Sequence, residues 1–101
     1  MSKARIDQLV AALRDGGMPA RTEHTGGGVF CAQLDLDDGT CLSIGDTEEG
    51  GHGWDRLTVE MGELVEETPE HYGTLEGGYD VRTVAGEIRR LLAARCWRVT
   101  E

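Results

Sequence analysis

No apolar stretch in these 101 residues approaches the ~20 needed to cross a bilayer. The opening segment, MSKARIDQLVAALRDGG, is interrupted by Asp7 and Gln8 and lacks the long apolar core of a secretory signal. Cysteine is sparse: three residues, an odd number without paired spacing, which fits a reducing compartment better than a disulfide framework. The expected location is therefore the cytoplasm, with no membrane partner. Aromatic residues make up only 5% of the chain, yet a hydrophobic fraction of 39% in regular patterns argues against disorder. Lysine is nearly absent, Lys3 standing against nine arginines, and this bias, with abundant Gly, Ala, Asp and Glu, points to a GC-rich genome.

Charge of one sign is in excess, and unevenly so. The net charge is −9, but residues 35–80 hold fourteen carboxylates and one cation, Arg56, for a local −13. Residues 1–34 carry +1 and residues 81–101 carry +3. An acidic centre flanked by mildly basic ends bears on partners and solubility rather than on fold.

The hydrophobic period changes twice along the chain. Ile6, Leu9, Val10 and Leu13 recur at helical spacing after Ser2, a candidate cap, and Gly16 offers a left-handed stop. A second helix is expected after Asp80, with Val81, Val84, Ala85, Ile88, Leu91 and Leu92 on one stripe. It is expected to end near Ala94, leaving Trp97 and Val99 to cover the core as an extended tail. Between these helices the period is two. VFCAQLDL places Phe30, Ala32, Leu34 and Leu36 on one face, and TCLSI does the same with Leu42 and Ile44. RLTVEM alternates Leu57, Val59 and Met61 against Arg56, Thr58 and Glu60. Weaker strands are expected at Ala20–His24 and around Leu64–Glu67. The expectation is one α+β domain spanning residues 1–101. Its antiparallel meander of four or five strands has the N-terminal and C-terminal helices on one face.

The acidic run LDLDDGTCLSIGD resembles a metal loop at first sight, and register decides against it. A two-residue turn at Asp38-Gly39 mixes the faces. A three-residue loop, Asp37-Asp38-Gly39, pairs Leu34 with Leu42 and Ala32 with Ile44, so that every apolar residue shares one face. A calcium loop also needs alternating acids and a distal glutamate that this run lacks. The same register sets Cys31 and Cys41 on the outer face, four residues out of step and roughly 13 Å apart. That distance excludes a bridge between them.

Few residues suggest catalysis. The Gly45–Trp54 loop gathers Asp46, Glu48, Glu49 and His52, which together form a candidate divalent-metal set, but no pair has a defined ligand spacing. Cys31, Cys41, Cys96, His24, His52 and His71 show no local context for a lowered thiol pKa. HTGGGVF precedes a strand, so it offers no helix N-terminus to a phosphate. No enzymatic activity and no cofactor are expected. Direct nucleic-acid binding is disfavoured by the net charge, with Arg82, Arg89 and Arg90 on the second helix as the counterweight.

The run TGGGVFCAQLDLDDGTCLSIGD, with GGYDVRTVAGEIRRLL, resembles small acidic proteins of unknown function in actinobacteria and their phages or mobile elements. The resemblance covers roughly Ser2–Ala94 and implies a layout: leading helix, glycine-turned hairpin, acidic loop, closing helix. Its motifs are structural, so it implies no functional residue. From the residues themselves, the expected function is protein binding through an acidic surface. That surface is built from Asp46, Glu48, Glu49, Glu60, Glu66 and Glu67, with Trp54 exposed among them and Tyr72 nearby. A sharper version is an inhibitor that imitates nucleic-acid charge and occupies a basic nucleic-acid-binding protein. Two alternatives stay open. One is a metal- or ligand-binding protein using the Gly45–Trp54 loop. The other is a self-associating accessory protein, a homodimer in which the basic helix of one copy faces the acidic sheet of another.

Overall fold

The computed structural model describes residues 3–26, 29–46, 51–58, 62–65, 71–78 and 80–100. Its first element, α1 (Lys3–Asp15), buries Ile6, Leu9, Val10 and Leu13, the stripe expected from their spacing. An isolated helix of this length is marginal in water. Burial stabilises it, by about 1.5–3 kcal/mol for each fully buried aliphatic side chain. The left-handed stop is Gly17 (φ +87°), not Gly16. Met18 N–H donates to the Leu13 carbonyl (3.0 Å) and Gly17 N–H to that of Arg14 (2.9 Å), the paired bonds of a Schellman ending. That geometry needs positive φ one residue beyond the cap, and it turns the apolar Met18 back onto the core.

Five antiparallel strands follow: β1 (Arg21–Gly26), β2 (Val29–Asp35), β3 (Thr40–Asp46), β4 (His52–Thr58) and β5 (Tyr72–Thr74), in spatial order β1-β2-β3-β4-β5. The β2–β3 hairpin has the expected register, with Ala32 opposite Ile44 and Leu34 opposite Leu42. Gly39 (φ +85°) takes the left-handed bulge position of its turn. Asp38 of that turn acts structurally: its carboxylate accepts from the Thr40 backbone N–H (3.0 Å), the Thr40 hydroxyl (2.5 Å) and Arg56.

Helix α2 (Val81–Arg95) begins at the Asp80 cap, whose carboxylate accepts from Arg82 N–H, and buries Val84, Ala85, Ile88 and Leu92. These join the α1 stripe, Ala32, Leu34, Leu36, Leu42 and Ile44 in one cluster, so both helices cover the same sheet face. The helix runs to Arg95, and Cys96 then enters the left-handed region (φ 56°, ψ 33°). Trp97 N–H bonds back to the Leu92 carbonyl (3.0 Å). Trp97 and Val99 cover the core as expected, and Val99 bridges Leu36 at the end of β2.

Two expectations are corrected in the second half of the sheet. The phase of β4 is inverted: Ile44 lies opposite Trp54, and Cys41 opposite Leu57. Trp54 therefore faces the helices at 5% exposure, while Leu57 lies on the outer face, half-buried and bridged to Leu64. An indole removes far more apolar surface from water than a leucine, so the burial of Trp54 decides the phase. Its ring meets Trp97 edge-on at 5.7 Å, with the Arg56 guanidinium 4.8 Å from the Trp97 centroid. Leu64 contributes a single bridge, and the fifth strand is Tyr72–Thr74. Val59, Met61 and Glu67 lie outside the described residues.

Candidate functional site

Pairing sorts the side chains into rows on the two sheet faces. On the helix side, Thr22, Ala32, Ile44, Trp54 and Gly73 are successive cross-strand partners. On the open side the corresponding row is Arg21, Gln33, Ser43, Asp55 and Tyr72. The outer face is therefore polar across all five strands, with exceptions towards both ends. At one end Cys41 lies between Asp35 and Leu57; towards the other, Cys31 lies opposite Glu23, and Gly45, Gly53 and Thr74 are adjacent partners.

Two glycines opposite each other leave the backbone of β3 and β4 bare. The result is a cleft of about 460 Å³ over Gly45 and Gly53, bounded by Asp55, Tyr72 and Thr74. A volume of this size holds a side chain or a short segment. Tyr72, 42% exposed, is the exposed large hydrophobic among the described residues. The bonds from Arg56 N–H to the His71 carbonyl (2.8 Å) and from Leu75 N–H to the His52 carbonyl (2.9 Å) set the alternation along β4 and β5. They make Asp55 and Tyr72 a non-hydrogen-bonded pair, the kind whose side chains approach most closely. Gly73, between the cleft residues Tyr72 and Thr74, faces the core, where a Cβ would sit 3.0 Å from Trp54 Nε1. The buried indole thus supports the strand that carries Tyr72.

The carboxylates differ sharply in their surroundings. Arg21 reaches Asp35 (2.8 Å) and Glu23 (2.5 Å), and its bond holds the Asp35 carboxyl below the usual range. Asp38 is bonded by Arg56, and Asp7 by Lys3 at 2.8 Å. Asp55 has no cation within 4 Å among the described residues, and crowding by the neighbouring strands pushes its carboxyl above the ordinary value. Its side chain nevertheless stays open to solvent.

The residues singled out from sequence are distributed differently. Trp54, expected to be an exposed anchor, is a core residue. Asp46 belongs to the helix-facing side, opposite His52, where His52 Nδ1 lies 3.4 Å from its carboxylate and Arg5 of α1 3.9 Å away. Burial holds the His52 imidazole below its ordinary pKa against the opposing pull of Asp46. Asp46 and His52 are thus brought together, as the metal reading required. Glu48 and Glu49, the rest of that set, lie outside the described residues, as do Glu60, Glu66 and Glu67. Among the described residues no three His, Cys, Asp or Glu side chains are grouped to hold a metal ion. Cys31 and Cys41 are free thiols on the outer face, buried at 5% and 2%, and burial raises both pKa values. Sequence reasoning missed Asp55, Gly45 and Gly53; the opposition of two glycines was the available signal, and it needed the β3–β4 register to be seen.

Comparison with known proteins returned no matching family model, no matching curated protein and no matching solved structure.

Proposed function

We propose that this chain is a non-enzymatic protein-binding module of the cytoplasm, engaging a basic partner through the open face of β3, β4 and β5. The observation that carries the reading is the cleft over Gly45 and Gly53 beside Tyr72. It is a concave site with an exposed aromatic, on the face that neither helix covers. An exposed aromatic directly opposite a carboxylate, on a polar sheet face, has the composition of a binding anchor. The excess of carboxylates over residues 35–80 fits a partner that ordinarily binds nucleic acid, whose charge this surface imitates. Both helices and both tryptophans are committed to the core, so they hold the sheet rigid and leave recognition to its other face.

The test is capture of the partner by the tagged chain at low and at moderately high salt, repeated with two variants. One variant is Tyr72→Ser; the other combines Asp55→Lys, Glu48→Lys and Glu49→Lys. A single basic protein retained at low salt and lost on each change supports the reading. Capture unaffected by both variants would mean that the open face is not the binding surface.

A further inference from the structure

We propose that the cleft over Gly45 and Gly53 receives an arginine side chain of the partner, its guanidinium forked onto the Asp55 carboxylate and stacked on the Tyr72 ring. This inference rests on the protein-binding reading and specifies the chemistry of its central contact.

Three observations lead to it. Asp55 and Tyr72 are directly opposed in a non-hydrogen-bonded pair, which sets their Cβ atoms about 4.5–5.5 Å apart. One planar cation can then touch a carboxylate edge and an aromatic face together. Arginine has this shape, whereas the compact ammonium of lysine cannot present a fork and a plane at once. Next, the other acids of the described strands already have cations from this chain: Arg21 serves Asp35 and Glu23, and Arg5 approaches Asp46 at 3.9 Å, while Arg56 serves Asp38 of the β2–β3 turn. Asp55 alone among the outer-face acids of the described strands has none within 4 Å. Last, the bare backbone at Gly45 and Gly53 leaves room along the sheet for the aliphatic stem, in a region whose net charge is strongly negative.

The chemistry is selective as well as attractive. A guanidinium against Asp55 replaces the solvation that the neighbouring strands remove, and its plane gains a cation–π contact with Tyr72. A neutral side chain of the same length gains neither. Binding also draws the Asp55 carboxyl back toward lower pKa, a change that non-specific apolar contact does not produce.

The experiment is titration of the isotope-labelled 101-residue chain with the capped tripeptide Gly-Arg-Gly, followed by backbone amide shifts and by the Asp55 carboxyl resonance. Capped Gly-Lys-Gly and its citrulline counterpart serve as comparisons. Expected are saturable shifts at Gly53, Tyr72, Gly73 and Thr74, with lysine about tenfold weaker and citrulline inactive, the scale of one charge-assisted fork. Asp55→Asn is expected to abolish the shifts while the spectrum stays dispersed, and Tyr72→Phe to keep them. Equal response to lysine, shifts centred elsewhere, or full binding by Asp55→Asn overturns the inference. If the arginine peptide fails while partner capture still depends on Tyr72, only the guanidinium assignment falls; if capture fails as well, the protein-binding reading falls with it.

Discussion

Replacing Cys96 by glycine is expected to make this protein more stable, although it removes a side chain and adds backbone freedom. Cys96 is the one non-glycine residue with positive φ among the described residues, at φ 56° and ψ 33°. It occupies the place where a Schellman ending normally has glycine: its N–H reaches the Ala93 carbonyl (3.3 Å), and the next N–H, of Trp97, reaches that of Leu92 (3.0 Å). A left-handed residue bearing a Cβ costs roughly 1–2 kcal/mol. Glycine removes that cost but loses about 0.5–1 kcal/mol through the freedom of its unfolded chain. The thiol is exposed, so little packing is lost. The net gain lies between about 0 and 1.5 kcal/mol and centres on ~0.75 kcal/mol, a rise in Tm of roughly 3–6 °C for a domain of this size. Urea unfolding followed by tryptophan fluorescence reads it directly, since Trp54 and Trp97 both pack in the core. Cys96→Ala is the decisive control: it keeps the Cβ and should stay within a few tenths of a kcal/mol of the parent. If Cys96→Gly proved no more stable than Cys96→Ala, the left-handed turn would not be what sends Trp97 back beneath α2.

Burial of His52 at 1% exposure makes stability depend on pH in a defined direction. Its folded pKa lies below the ordinary 6.5, chiefly through desolvation, so the unfolded chain takes up the proton first. Stability is then complete above pH 6.5 and falls as the pH drops toward the folded value, by at most about 1.4 kcal/mol per pH unit. Urea midpoints between pH 5 and 8 should show this slope in the parent and lose it in His52→Gln. Thiol titration of the native protein should find Cys96 reacting quickly, with Cys31 and Cys41 responding only on unfolding, because both are buried and burial raises their pKa values. Gly73→Ala should lower stability by about 1 kcal/mol, as the new methyl presses on the Trp54 indole at 3.0 Å, and thermal unfolding would register it. Asp35→Asn should cost at most about 1 kcal/mol in a urea midpoint, since its bridge to Arg21 lies at the surface.

How much of this was legible in the sequence varied with how many solutions each segment allowed. The β2–β3 hairpin allowed one, because a one-residue slip from Leu34 opposite Leu42 exposes the whole apolar set and the three-residue turn fixes the rest of the register. The α1 and α2 stripes were equally constrained, since a 3.6-residue period admits a single buried face. The run HGWDRLTVEM allowed two. Its alternation is visible in either phase, and the burial of Trp54 in a core that Trp97, beyond the second helix, helps to complete favours the observed one. An αL cysteine leaves no periodic trace at all. The cleft was hidden for a related reason: it exists only once Gly45 meets Gly53 and Asp55 meets Tyr72, and both pairings depend on connections rather than on local pattern.

Counting acids along the chain treats them as equivalent, and the fold sorts them into different roles. Asp80 caps a helix, Asp38 shapes a turn, Asp35 anchors an arginine on the sheet and Asp46 borders a buried histidine. Each of these charges is answered by donors or cations within the molecule, so its removal acts mainly on stability. Asp55 has the opposite combination: it is crowded by its neighbours, open on one side and without a cation within 4 Å among the described residues. A carboxylate held in that state contributes less to folding than its paired neighbours do, and more to the attraction of an arriving cation. In the proposed complex the net charge of the acidic segment governs long-range steering, which salt screens, while the short-range contact depends on Asp55, the outer-face carboxylate without a cation within 4 Å among the described strands.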